Sequence, residues 1–156
     1  MVAGEFLYLG IDVKTNDYIV VIRRKDNKEQ LPIWIGNSEA FAIALSAAGL
    51  KPPRPMTHDL LSDIITALGA RVSRVIISGV KENTFYALVH LERGENETYI
   101  VDARPSDSIA LALRTKSEIL LSEDIQTFNL ETPSNDAEKE LASRIRAIDP
   151  QEMIGY

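Results

Sequence analysis

His58 and Asp59 stand side by side a few residues after Lys51 and Arg54, in the stretch KPPRPMTHDLLSDIITALG. An imidazole and a carboxylate in the first turn of a helix, close behind two cations, make a corner suited to a phosphate. First-turn amides attract anions, the imidazole can move a proton, and the cations neutralise charge. Adjacent helix positions diverge by roughly 100°, so His58 and Asp59 do not serve the same ligand atom. The second constellation is Asp102-Ala-Arg104-Pro-Ser106-Asp107, where a strand runs into a helix. There Asp102 and Asp107 are the pair expected to hold Mg²⁺ or Mn²⁺, and Arg104 is the clamp on a phosphate. Arg114, later in the same helix, joins Lys51, Arg54 and Arg104 as a candidate phosphate contact. Read as catalysis, the set is His58, Asp59, Asp102 and Asp107. Read as architecture, Asp59 complements a helix dipole, His58 is a surface or interface residue, and Pro105 with Ser106 makes an ordinary helix start. Asp102 then only bonds Arg104 or the backbone. Ordinary capping does not require both Asp102 and Arg104.

The rest of the chain offers little competing chemistry. His90, the only other histidine, falls in the alternating run 84–93 on the face opposite Phe85 and Val89, and reads as a strand-surface residue. Trp34 and Phe41 could stack on a base, although a tryptophan among β-branched neighbours reads as core or dimer interface. With no cysteine there is no disulfide frame, thiolate metal site or cysteine nucleophile. No P-loop, dinucleotide fingerprint, HExxH helix or GxSxG elbow occurs.

Turn residues divide the chain into elements that must position these groups. Strand-like runs at 5–13, 18–24 and 30–36 lead to an alanine-rich helix at 38–49, with Ser38 as its expected cap and Gly49 as its stop. The order then repeats, with runs at 72–80, 84–93 and 98–103 before a second buried-looking helix. SEAFAIAL aligns with SDSIALAL at an offset of 68 residues, matching Ser38 to Ser106 and Glu39 to Asp107, while the strand starts Asp17-Tyr18 and Asn83-Thr84 recur at 66. The pattern predicts an α+β fold of two βββα repeats, about 5–49 and 71–116, whose largely antiparallel strands pack against helices. Pro52, Pro53 and Pro55 stiffen the connection, and Thr57 caps a linker helix over 57–68 with Leu60, Leu61, Ile64, Ile65 and Leu68 on one apolar face. A short strand at 118–125 completes a domain of residues 1–125. Residues 126–156 form a C-terminal tail with a helix near 136–147, whose solvated face carries Glu138, Lys139, Glu140, Arg144 and Arg146.

LPIWIGNSEAFAIAL, KPPRPMTHDLLSDIITALGARV and VDARPSDSIALALRT resemble the bifunctional nuclease domain family, over about residues 5–125 and in order. That resemblance implies cleavage of both DNA and RNA. The functional expectation is a metal-assisted phosphodiesterase with little sequence preference. Asp102 and Asp107 hold the metal, His58 acts as base or phosphate contact, and Arg54 and Arg104 bind phosphate. The alternative is a non-catalytic oligomeric module that binds a small anion or a protein partner through the same corners.

Charge bears on this choice. The net charge is −6, but residues 1–50, 51–116 and 117–156 carry −1, +1 and −6, so the acidity is mostly C-terminal. Binding nucleic acid over a broad basic face is thereby disfavoured, while a local basic groove remains open. The longest apolar stretches fall short of the roughly 18–20 residues that span a bilayer, and the acidic start lacks a leader pattern. The expectation is a soluble cytoplasmic chain without membrane contact. A homodimer is expected too, because a chain of 156 residues with this many apolar strands leaves a sheet face or edge to cover.

Overall fold

The computed structural model describes residues 1–155, so Tyr156, the last residue of the expected tail, lies outside the described residues. The expected strands form as β1 (Val2–Asp12), β2 (Tyr18–Arg24), β3 (Gln30–Ile35), β4 (Ala70–Lys81), β5 (Thr84–Arg93) and β6 (Glu97–Ala103). The helices are α1 (Asn37–Ala47), α2 (Thr57–Ala67) and α3 (Pro105–Thr115), followed by β7 (Glu118–Leu121), α4 (Asp136–Arg144), β8 (Ile145–Ile148) and α5 (Pro150–Ile154). The result is a mixed α+β fold with an eight-stranded sheet in the order β3-β2-β1-β7-β4-β5-β6, β8 pairing with β1. Every pairing is antiparallel except that of β4 with β7. Each β-β-β triple runs outward from the middle of the sheet, so β3 and β6 are its two edges.

Continuous apolar runs explain the core. Along β2 and β4 the β-branched residues Ile19, Val20, Val21, Ile22, Val75 and Ile77 are fully buried, each worth roughly 1.5–3 kcal/mol of transfer free energy. Helix α3 is central: Ile109, Ala110, Leu111 and Ala112 are buried, and it packs against α1, α2, β4 and β5. Its alanines, with Ala40 and Ala44 of α1, let the two helices approach closely. Pro105 at its first turn and Lys116 in the left-handed conformation (φ 55°) delimit it.

Several boundaries differ from the sequence reading. Gly36, not Ser38, precedes α1, and Met56, not Thr57, precedes α2, where the Asp59 carboxylate accepts from the Met56 amide at 3.0 Å. The strand expected at 118–125 ends at Leu121. The helix expected over 136–147 stops at Arg144, because Ile145–Ile148 pairs with Leu9–Asp12 along the edge of β1 that β7 leaves open. Within residues 126–148, Ile145–Ile148 thus joins the sheet as β8, and Phe128 is tied to it by the bridge with Gln30. Glu138 is not solvated: it is buried, and its carboxylate accepts from the Asn129 and Ser134 amides, the Ser134 hydroxyl and the Asn135 side chain. The apolar face of α2 forms as expected, yet Leu60, Leu61, Ile64 and Leu68 are exposed and only Ile65 packs against the core.

Candidate active site

Three helices begin at the same place. Glu39 is the third residue of α1, His58 the second of α2 and Asp107 the third of α3, and Arg104, just before α3, lies among them. His58 Nε2 is 2.8 Å from Asp107 Oδ1. Arg104 Nε donates to Asp107 Oδ2 at 2.8 Å, its Nη2 to Asp107 Oδ1 at 3.2 Å, and its Nη1 to Glu39 Oε1 at 2.8 Å. His58 is buried, whereas the Arg104 side chain is 64% exposed. Burial works against the Asp107 carboxylate, but Arg104 and His58 outweigh it and hold its pKa below the ordinary value. Asp107 and Glu39 in turn raise the Arg104 pKa.

The first turns of all three helices open on one hollow of about 560 Å³, lined by Ser38, Glu39 and Phe41 of α1, Thr57 and His58 of α2, and Arg104 with Asp107. Among the described residues no side chain caps α1 or α3, so their first-turn amides, which have no intrahelical partner, are open to a ligand. Three converging positive dipole ends, uncapped amides and an exposed guanidinium suit an anion. An imidazole bonded to a carboxylate stands in the wall of that hollow.

The sequence-predicted residues separate clearly. His58, Arg104 and Asp107 come together. Asp59 turns away, as its neighbour's helix position requires, and its Oδ1 accepts from Arg114 Nε at 2.8 Å. Burial opposes the Asp59 charge, and the Met56 amide and Arg114 overcome it, lowering its pKa. Arg114, expected as a phosphate contact, borders the hollow and is held by internal bonds: its side chain is 8% exposed, and its other nitrogens donate to the carbonyls of Ala110 and Ala42, both at 3.0 Å. Lys51 lines a separate hollow beyond the Asp59–Arg114 pair, and Arg54 lies exposed in the linker. Asp102 borders the second hollow at His58, about 460 Å³ between α2 and the β5–β6 end of the sheet. Within β6, however, Tyr99, Val101 and Ala103 pair with the helix-facing Leu91, Val89 and Ala87, so alternation places Asp102 on the other sheet face.

That separation bears on the expected divalent ion. Asp107 already uses both oxygens on Arg104 and His58, Asp102 faces elsewhere, and among the described residues no three carboxylate or histidine side chains gather as a ligand set. Mg²⁺ takes six near-octahedral oxygen ligands. The Asp102–Asp107 pair does not fit it as arranged.

Trp34 is not core: it is partly exposed, donates through Nε1 to the fully buried Asp12 at 3.0 Å, and lies under the Arg144 guanidinium. His90 sits in β5 opposite Arg74 with its pKa lowered by burial and by that arginine, in keeping with a strand residue outside the site. Residue type and spacing do not single out Glu39 as a site residue. The signal for it is the alignment of SEAFAIAL with SDSIALAL, which matches it to Asp107: both are third helical residues, and both bond Arg104.

The bifunctional nuclease domain model matches residues 20–129, which takes in Glu39, His58, Arg104 and Asp107. An uncharacterised protein of Mycobacterium tuberculosis is 44% identical over 124 residues, covering 78% of this chain and 73% of its own length. A protein of Oryza sativa subsp. japonica named bifunctional nuclease 1 is 24% identical over 111 residues, 69% of this chain but 34% of the plant protein.

Proposed function

Because the chain belongs to the bifunctional nuclease domain family, we propose that it is a nuclease-like phosphodiesterase acting on DNA and RNA with little sequence preference. The observation that carries the reading is the meeting of three helix N-termini around the Asp107-oriented His58 and the exposed Arg104. In this mechanism a phosphodiester oxygen sits against the uncapped amides of α1 and α3, and Arg104 contacts its negative charge. His58 gives its Nε2 proton to the bond with Asp107, so Nδ1 is the nitrogen that accepts a proton from the attacking water or hydroxyl. Phe41, in the same hollow, offers a face on which any base can stack, which suits weak sequence preference. The reading includes no step through a resident metal. It places the chain in the cytoplasm, and among the described residues no helix is long and apolar enough to cross a membrane.

One observation favours the second reading, a module that binds a small anion or protein without turnover. Every nitrogen of Arg104 and both oxygens of Asp107 already have partners. The two separate in one experiment: wild-type and Asp107→Asn proteins, purified identically, with end-labelled single-stranded DNA and RNA in Mg²⁺, Mn²⁺ or chelator. Turnover reduced in the folded variant is expected. No turnover, with a phosphate-dependent rise in melting temperature, would favour the binding module.

The two β-β-β-α runs are further proposed to be an internal duplication, supported by the matching positions of Glu39 and Asp107. Failure of the two units to superpose strand for strand and helix for helix would refute it.

A further inference from the structure

His58 and Asp107 have a cavity on each side. With Thr57 and Arg104 they line both the hollow of about 560 Å³ and the second one of about 460 Å³, so the imidazole–carboxylate pair is a partition between the two. The two sides differ in chemistry. On one stand Glu39, Phe41 and the uncapped starts of α1 and α3. The other is an apolar slot between the sheet and α2, lined by Val89 and Leu91 of β5, Val101 of β6, Leu61 and Ile65 of α2, and Leu111 of α3. Val89 and Val101 pair directly across β5 and β6, so the sheet side of the slot is a β-branched surface. Val89 and Leu111 are buried, whereas Leu61 and Val101 are 40% and 47% exposed, so the slot opens to solvent between α2 and β6 and is apolar to its base. A concave apolar space left open to water beside a charged cluster has the character of a ligand groove.

We infer that this slot is a nucleobase subsite: with a phosphodiester held at Arg104 and the starts of α1 and α3, the base of one flanking nucleotide enters between α2 and the sheet, and the other flank lies toward Phe41. The inference rests on the phosphodiesterase reading for the identity of the anion. Adjacency identifies the occupant. One imidazole–carboxylate pair separates the anion hollow from the slot, so the apolar group must be joined to the phosphate by a short linker, and in a nucleotide a single sugar joins them. A flat ring between a helix and a sheet face covers apolar surface on both of its sides, as unstacked bases do when held between apolar side chains. None of the six side chains that make the slot carries a donor or an acceptor. The slot therefore takes the faces of a base, leaves its edges unread, and accepts purines and pyrimidines alike.

Calorimetric affinities of the wild-type protein for adenosine 5′-monophosphate, ribose 5-phosphate and hexyl phosphate test the slot without requiring turnover. The nucleotide is expected to bind about tenfold more tightly than either of the others. It should also shift the methyl resonances of Val89, Val101 and Leu111, which ribose 5-phosphate leaves in place. Leu61→Trp and Val101→Trp, both at the exposed mouth, fill the slot. Each is expected to keep a cooperative melting transition and its affinity for ribose 5-phosphate while losing the advantage of the nucleotide. Equal affinity for nucleotide and ribose 5-phosphate, or a nucleotide that leaves those three methyl groups unshifted, would overturn the inference. Hexyl phosphate binding as tightly as the nucleotide would overturn it in favour of an alkyl chain. Should neither variant fold, the wild-type affinities and methyl shifts decide alone. Cleavage of a single-stranded oligonucleotide is followed in parallel. A nucleotide advantage without turnover keeps the slot and overturns the phosphodiesterase reading, whereas turnover unchanged in both folded variants keeps that reading and overturns the slot.

Discussion

Glu39 and Arg104 are 65 residues apart in the chain, and Glu39 Oε1 accepts from Arg104 Nη1 at 2.8 Å. One residue comes from the first β-β-β-α run and the other from the second, so the two halves build a single cluster rather than two sites. Gly36 permits it: a Cβ there would collide with the Glu39 carboxylate.

Glu39→Gln removes a negative charge from the hollow while leaving Arg104 bound to Asp107. Inorganic phosphate or a dinucleotide should then bind several-fold more tightly by calorimetry. The cost to stability should stay within about 1 kcal/mol, as for other partly exposed ion pairs. Weaker binding would show that Glu39 holds Arg104 in the posture the anion needs.

Arg114 ties α1, α2 and α3 together through Ala42, Asp59 and Ala110. Arg114→Ala takes the guanidinium from the Asp59 carboxylate, which keeps only the Met56 amide, and from the carbonyls of Ala42 and Ala110, at a cost of about 3 kcal/mol. For a domain of this size that lowers the melting temperature by about 6–12 °C. A shift below about 2 °C in a calorimetric melt would mean the brace contributes little beyond what solvent supplies.

Acid should unfold the protein through three aspartates. Asp12, held by Arg144, and Asp59 and Asp107, held as described, all have folded pKa values below the ordinary one. A depressed carboxylate contributes stability that is fully present above its unfolded value, about 3.9, and is lost as pH falls through the folded value. Denaturant unfolding between pH 7 and 2 should show stability flat above about pH 5 and declining below it. In Asp12→Asn that acid-side slope should be shallower at a lower plateau. An unchanged slope would remove Asp12 from the account.

Much of this arrangement is legible in the sequence because its signals are local. Strand β5 follows alternation over Thr84–Arg93, and the starts of α2 and α3 follow from prolines and first-turn acids. His58, Arg104 and Asp107 stand out by residue type and position. What sequence does not carry is the packing between elements. Helix α2 must lie beside α3 for His58 to reach Asp107, and only the strand's face, set by its register with β5, removes Asp102 from the group. Local propensity also loses to tertiary pairing at the C-terminal end. The helical pattern continues past Arg144, but β1 has an open edge for Ile145–Ile148, and the Arg144 guanidinium is drawn to the buried Asp12 carboxylate, 2.6 Å from Nη2.

The most direct test is the pH dependence of kcat/KM for cleavage of a single-stranded oligonucleotide by wild-type, His58→Ala and Asp107→Asn proteins purified side by side. The account predicts a wild-type rate that rises with pH as one group gives up its proton. The loss should be about 10²- to 10⁴-fold in His58→Ala, with the pH dependence gone, and Asp107→Asn should fall in between while retaining a folded melting transition. Equal rates and identical pH profiles for all three proteins would contradict it.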